Sequence, residues 1–208
     1  HKEYRRQRQM CIRDRLHTYA KPLICWGHGV VMGGGLGILA GCRHRIVSER
    51  TRIGMPEITI ALFPDVGGSW FLNQMQGHIG RFLALTSSHI NAADALFCGL
   101  GSHFLSNEQK PDLLNRLIEQ NWGASAEHNH DLVAVLLKDI TPSGALPEAQ
   151  LEPRLETINA WMSGGDLIEI YERVAAWAGD DTWLSKAQNG LLQGSPLAAA
   201  WIFKQLNQ

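Results

Sequence analysis

The sequence predicts an α/β half followed by an all-helical half. Three observations carry this. Residues 23–26 and the run Arg45-Ile46-Val47 are short and apolar, as buried strands are. Between them lies a dense glycine stretch, Gly27-His28-Gly29-Val30-Val31-Met32-Gly33-Gly34-Gly35-Leu36-Gly37. After Ser106 the apolar residues recur at helical intervals up to the end of the chain.

Taken in order, residues 1–20 form an atypical basic segment with Arg5, Arg6, Arg8, Arg13 and Arg15. A basic run can bind RNA or an anionic surface. With a net charge of -1 over 208 residues it reads here as a solvated end, and no nucleic-acid partner is expected. Lys21-Pro22 closes a turn, and residues 23–26 follow as a strand. Residues 36–42 read as the first turns of a buried helix. Its start, at Gly33 to Gly35, offers unpaired N–H groups and the positive end of a dipole. After the strand at Arg45-Ile46-Val47, residues 51–54 lead into Met55-Pro56-Glu57 and a short apolar run, 58–63. Pro64-Asp65-Val66-Gly67-Gly68-Ser69 is a turn before a helix at about residues 70–75. Residues 81–86 form another short helix. Asn91 opens a further one that ends at Gly99, and His103-Phe104-Leu105 is a closing strand.

In the helical half, Leu113, Leu114, Leu117 and Ile118 fall on one stripe of a helix over 112–119. His128-Asn129-His130 reads as a solvated loop before a helix at 132–137. Pro142 and Gly144 mark a linker. Leu151, Leu155, Ile158 and Met162 form a stripe stopped by Gly164-Gly165. Asp166 and Glu169 have capping-box spacing. Ser195-Pro196 opens the last helix, because proline fits a first turn.

Hydrophobic content of 45% with 19% charged residues is ordinary for a globular protein. Four cysteines show neither C-x-x-C pairing nor metal spacing, so Cys25, Cys42 and Cys98 read as buried, reduced thiols. No apolar run approaches the ~18 residues of a membrane span, and no signal-peptide core precedes the fold. No metal site is expected, since His128 and His130 lack a third ligand. No Gly-x-Ser-x-Gly elbow supports a serine hydrolase.

The glycine stretch and the two carboxylates after it, Glu57 and Asp65, are the candidate chemistry. Glycines let backbone amides approach a ligand closely. Amide donors for a developing negative charge, with an acid or base nearby, make an active site for acyl transfer. A second reading is a dinucleotide turn at Gly27-x-Gly29-x-x-x-Gly33, with Glu49 about 20 residues on to bind a ribose. That reading leaves Met55-Pro56-Glu57 and Phe63-Pro64-Asp65 unexplained and needs a βαβ series downstream.

Together these motifs resemble the crotonase (enoyl-CoA hydratase/isomerase) superfamily, nearest to its 3-hydroxyisobutyryl-CoA hydrolase branch. The matching text is Lys21-Pro22, His28-Gly29-x-x-Met32-Gly33-Gly34-Gly35-Leu36-Gly37, Met55-Pro56-Glu57 and Phe63-Pro64-Asp65-Val66-Gly67-Gly68. Phe82-Leu83-Ala84-Leu85-Thr86 and Asp94-Ala95-Leu96-x-x-Gly99-Leu100 extend it.

The resemblance implies a partial ββα spiral over residues 21–105, forming an acyl-CoA-binding core, and a helical region over 106–208. It implies Gly34, beside Gly33, as an oxyanion donor. It also implies Glu57 as nucleophile or general base, and Asp65 as a partner for the substrate hydroxyl or for water. A hydratase of the family carries a second glutamate where this chain has Gly37, which turns the expectation from hydration to thioester hydrolysis. Glu3 matches a substrate-binding glutamate, though an arginine-rich insertion lengthens its spacing to Lys21. Neither the first oxyanion amide nor its turn precedes Glu3, so the chain reads as a fragment with little activity of its own. No cofactor is expected, CoA being part of the substrate. The expected partners are an acyl-CoA and, in the full-length parent, further copies of the chain. The expected compartment is the bacterial cytoplasm or, in a eukaryote, the mitochondrial matrix.

Overall fold

A computed structural model describes residues 14–16 and 18–207. The first strands and helix are β1 (Ile24–Gly27), β2 (Val30–Val31), α1 (Gly34–Gly41), β3 (His44–Val47) and β4 (Arg52–Ile53). A 3-10 turn at Pro56–Ile60 precedes α2 (Gly68–Asn73), α3 (Ile79–Thr86) and α4 (Ala92–Phe97). After β5 (His103–Phe104) come α5 (Lys110–Glu119), α6 (Ala126–Asp139), α7 (Leu155–Met162), α8 (Leu167–Ala175), α9 (Thr182–Gln193) and α10 (Pro196–Leu206). The strand–strand–helix order occurs at β1, β2 and α1, as a ββα spiral requires. The chain divides into two compact units, residues 1–52 with 91–148 and residues 53–90 with 149–208.

In the first unit β1, β3 and β5 form a parallel sheet in that order. Ile24 lies opposite His44 and Gly27 opposite Val47; Ile46 and Val47 meet His103 and Phe104. Parallel neighbours need a crossover, and α1 supplies it between β1 and β3. Its Leu36 and Leu39 are fully buried. Ile46, Leu105, Leu113, Val133, Leu136, Leu137 and Ile140 form one apolar cluster, with Ile24, Trp26 and Leu117 against it. Burying a side chain of this kind contributes about 1.5–3 kcal/mol.

Two helical expectations change here. Of the α5 stripe, Leu113 is buried and Leu117 packs against the cluster, while Leu114 and Ile118 are 50% and 79% exposed. The pairs 113/117 and 114/118 each share a face, and the two faces stand about 100° apart around the helix; only one meets the cluster. His128 and His130 lie inside α6 and not in a loop before it. Ser125 caps that helix by accepting from the His128 amide, which moves its start ahead of both histidines.

In the second unit α3 is the centre. Phe82 is fully buried, with ring centroids 6.3 Å from Trp161 and 5.5 Å from Trp183. A Cβ at Gly80 would run into the Leu72 carbonyl, and one at Gly190 into the Thr86 carbonyl. Helix backbones therefore pass α3 closely on two sides. Ser195 caps α10 as expected, its hydroxyl accepting from the Ala198 amide. Asp166 caps α8 through the Ile168 amide, and Glu169 points to Arg173 at 3.9 Å, so no box forms there. Reciprocal boxes form in the first unit instead, one of them between Asn91 and Asp94 at the start of α4.

Candidate active site

Glu57 is the second residue of the 3-10 turn that Pro56 opens. The chain leaves that turn through Ala61, whose φ of 55° is left-handed, and the Leu62 amide returns to the Glu57 carbonyl at 2.9 Å. Ile58 is fully buried beneath, and its carbonyl accepts from the Ser195 amide at 3.0 Å. The start of α10 thus holds the turn that carries the carboxylate.

Glu57 is only 6% exposed, and its Oε2 has no hydrogen-bond partner among the described residues. A buried carboxylate oxygen left without a donor is costly and needs a reason. Burial pushes the Glu57 carboxyl above its ordinary range, and the negative charge of Asp65 adds to the rise. A hydrogen bond from the backbone of Glu57 itself opposes both. Carboxylates poised this way act as bases or nucleophiles near neutral pH.

Asp65 is exposed, on a turn built with unusual backbone. Val66, a β-branched residue, has φ of 40°, and Gly67 has φ of 80°. Strain of this kind persists only where the surroundings impose it, and it concentrates at functional sites. The surroundings here are tight: the Gly68 amide donates to the Asp65 carbonyl at 2.6 Å, and a Cβ on Gly68 would stand 2.6 Å from the Pro64 Cβ. Glu57 and Asp65 thus lie in the same unit, and the charge of Asp65 acts on the Glu57 carboxyl.

The glycine turn belongs to the first unit. Gly29 and Gly33 have φ of 68° and 50°, and α1 begins at Gly34 with no side-chain cap. Among the described residues no carbonyl accepts the Gly34 N–H, while Gly35 donates to Met32 and Gly37 to Gly33. An open amide at a helix start is a site for a negative oxygen. Gly37 is a buried helix residue, so no carboxylate stands there. Glu3 lies outside the described residues. Glu49, the candidate ribose ligand of the dinucleotide reading, accepts from the Asn107 amide at 3.0 Å.

Sequence reasoning missed Ser48 and Thr51. Both are buried, at 0% and 1% exposure, and the Thr51 hydroxyl donates to the Gly27 carbonyl at 2.5 Å. These partners are 24 residues apart, joined by the β1–β3 pairing, so no local pattern announces them. Among the described residues no group of three or more His, Cys, Asp or Glu is arranged to hold a metal. No helix among them is long and apolar enough to cross a membrane.

A sequence model described as enoyl-CoA hydratase/isomerase matches residues 3–208. The chain belongs to this family. It is 31% identical over 200 residues to a mitochondrial 3-hydroxyisobutyryl-CoA hydrolase of Danio rerio, covering 95% of this chain and 50% of that one. It is 32% identical over 182 residues to 3-hydroxyisobutyryl-CoA hydrolase 1 of Arabidopsis thaliana, covering 86% and 47%. The chain thus spans about half the length of the curated relatives it matches. Among solved structures, an enoyl-CoA hydratase from Rhodobacter sphaeroides superposes with a TM-score of 0.78 at 32% identity, over 96% of this chain and 53% of the other. A carnitinyl-CoA dehydratase from Mycobacterium thermoresistibile reaches 0.79 at 23% identity, over 96% and 56%, a likeness of fold. Family membership and these superpositions establish the crotonase-type fold expected from the glycine and carboxylate motifs.

Proposed function

We propose that the protein hydrolyses the thioester of a short-chain 3-hydroxyacyl-CoA, with 3-hydroxyisobutyryl-CoA, an intermediate of valine breakdown, as the first substrate to test. The observation that carries this reading is the buried Glu57 carboxylate, with one oxygen unpartnered among the described residues. Such an oxygen is free to attack or to take a proton. As nucleophile, Oε2 bonds to the acyl carbon, the C–S bond breaks, and the CoA thiolate takes up a proton. Water then splits the mixed anhydride, releasing the hydroxy acid and restoring Glu57. As general base, Glu57 removes a proton from a water that attacks the same carbon.

The open Gly34 amide is assigned to the carbonyl oxygen as it gains negative charge, with Gly33 shaping the approach. Asp65 is assigned to the substrate hydroxyl or to water. Glu3 remains a proposed substrate contact. The absence of a carboxylate at Gly37 favours hydrolysis over hydration, and the Danio rerio and Arabidopsis thaliana relatives are named as hydrolases. No cofactor is required, since CoA leaves as product. In a eukaryotic source the proposal places the protein in the mitochondrial matrix, as for the mitochondrial relative, and in a bacterium in the cytoplasm.

Hydratase chemistry is the second reading, favoured by the Rhodobacter sphaeroides structure. The test is hydrolysis of 3-hydroxyisobutyryl-CoA and hydration of crotonyl-CoA by the full-length protein carrying this sequence, with Glu57→Gln and Asp65→Asn. Hydrolysis that falls in both variants supports the proposal. Fast crotonyl-CoA hydration, or full hydrolysis in both variants, defeats it.

A further inference from the structure

We infer that Thr51 is a positioning residue for the oxyanion donor, acting with Ser48 as a buried hydroxyl clamp on the glycine turn. The inference rests on the assignment of the Gly34 amide to the thioester oxygen.

The geometry lies wholly within the first unit. The Thr51 hydroxyl has one proton, and it goes to the Gly27 carbonyl at 2.5 Å. The same oxygen accepts from the Ser48 amide at 2.7 Å. The Thr51 amide donates to the Ser48 carbonyl at 2.9 Å, closing a tight turn after β3. The Ser48 hydroxyl reaches His28 Nδ1 at 3.0 Å. One residue on, the Arg52 amide donates to the Gly29 carbonyl at 2.8 Å. Gly27, His28 and Gly29 are therefore each held by the segment running from Ser48 to Arg52.

That attachment anchors the chain just ahead of the donor. The backbone turns at Gly29 and Gly33, both at positive φ, before α1 starts at Gly34. A Cβ added at Gly29, Gly33, Gly34 or Gly35 would meet no atom of the described residues within 4 Å, so no side chain packs against these four glycines. The fixed points are the buried α1 leucines on one side and, on the other, the hydroxyl clamp with the Arg52–Gly29 bond and the buried Val31. An oxyanion donor is effective only when its direction is set before the charge develops. Thr51 is also placed to do this at little cost: at 1% exposure its bond to the Gly27 carbonyl does not compete with water.

The test uses the full-length protein carrying this sequence. Thr51→Val removes the hydroxyl and keeps the shape; Thr51→Ser keeps the hydroxyl. Hydrolysis of 3-hydroxyisobutyryl-CoA should fall tenfold or more in kcat for Thr51→Val, with KM and the affinity for CoA alone within twofold. Thr51→Ser should recover most of the rate. A second readout is the infrared stretch of a 13C-labelled thioester carbonyl bound to the Glu57→Gln protein, where the ester persists. Its shift to lower frequency should shrink when Thr51→Val is added and return with Thr51→Ser. Thr51→Ala, read in the same way, takes over should Thr51→Val not fold. An unchanged kcat and carbonyl shift overturn the inference, and so does a loss of CoA affinity as large as the loss of rate. A wild-type protein that hydrolyses no thioester defeats the proposed function instead, and the carbonyl comparison still decides the clamp.

Discussion

Burial raises the carboxyl of Glu57, and the negative charge of Asp65 raises it further. The acid limb of kcat/KM should therefore lie above the ordinary carboxylate range. Asp65→Asn removes one of the two causes and should move that limb to lower pH, whatever it does to the plateau. A pH profile of thioester hydrolysis for the two proteins checks this. A limb that stays in place would show that the two carboxyls do not communicate.

The same burial predicts a stability effect of opposite sign to the loss of activity. A carboxyl whose folded pKa is raised destabilises the fold once pH climbs through its unfolded value and on past its folded one. At pH 7 the charged Glu57 is disfavoured in the folded protein. Glu57→Gln should therefore raise stability at pH 7. The gain should vanish at low pH, where the wild-type carboxyl is neutral. Thermal melts at pH 4 and 7 provide the comparison.

His44 gives the chain an acid weakness. It is buried on β3, and its Nε2 stands 3.2 Å from His130 Nδ1. Burial, followed by the charges of His130, His103, Arg43 and Arg45, lowers its pKa from 6.5 to about 4. The unfolded chain then takes a proton that the folded one refuses, so stability is lost as pH falls from about 6.5 to about 4. The loss should be on the order of 1–2 kcal/mol after allowance for solvent screening. Denaturant melts across that window, with His44→Gln as the variant that flattens the slope, measure it.

Gly190 is predicted to be intolerant of any side chain. A Cβ there would run into the Thr86 carbonyl, a backbone atom that cannot swing aside. Gly190→Ala should cost about 1–3 kcal/mol despite the better helix propensity of alanine. Chemical denaturation of the variant tests this, and a neutral result would mean that α9 can shift away from α3.

Much of the candidate site was legible because its signals are local. A triple glycine followed by Leu36 and Leu39 marks a helix start that no side chain covers, and the start falls at Gly34. Pro56 before Glu57 and Pro64 before Asp65 mark turns, and turns are where the two carboxylates sit. Helix starts at Asn91 and Ser195 were equally readable, because capping chemistry acts within three residues. The histidines of α6 were misplaced for the complementary reason. Their helix begins at a serine cap with no strong apolar rhythm behind it, and its polar first turns read as loop.

By itself the sequence determined the strand–turn–helix order, the family motifs, the carboxylate pair and the missing carboxylate at Gly37. Each of these depends on residue type and short spacing. Only the tertiary structure decided that Glu57 is buried with an oxygen unpartnered among the described residues, that Val66 is held at positive φ, and that Thr51 grips Gly27 across 24 residues. Burial, strain and long-range hydrogen bonds depend on which surfaces pack together. In this chain that is decided by strand pairing and helix packing between segments far apart in sequence.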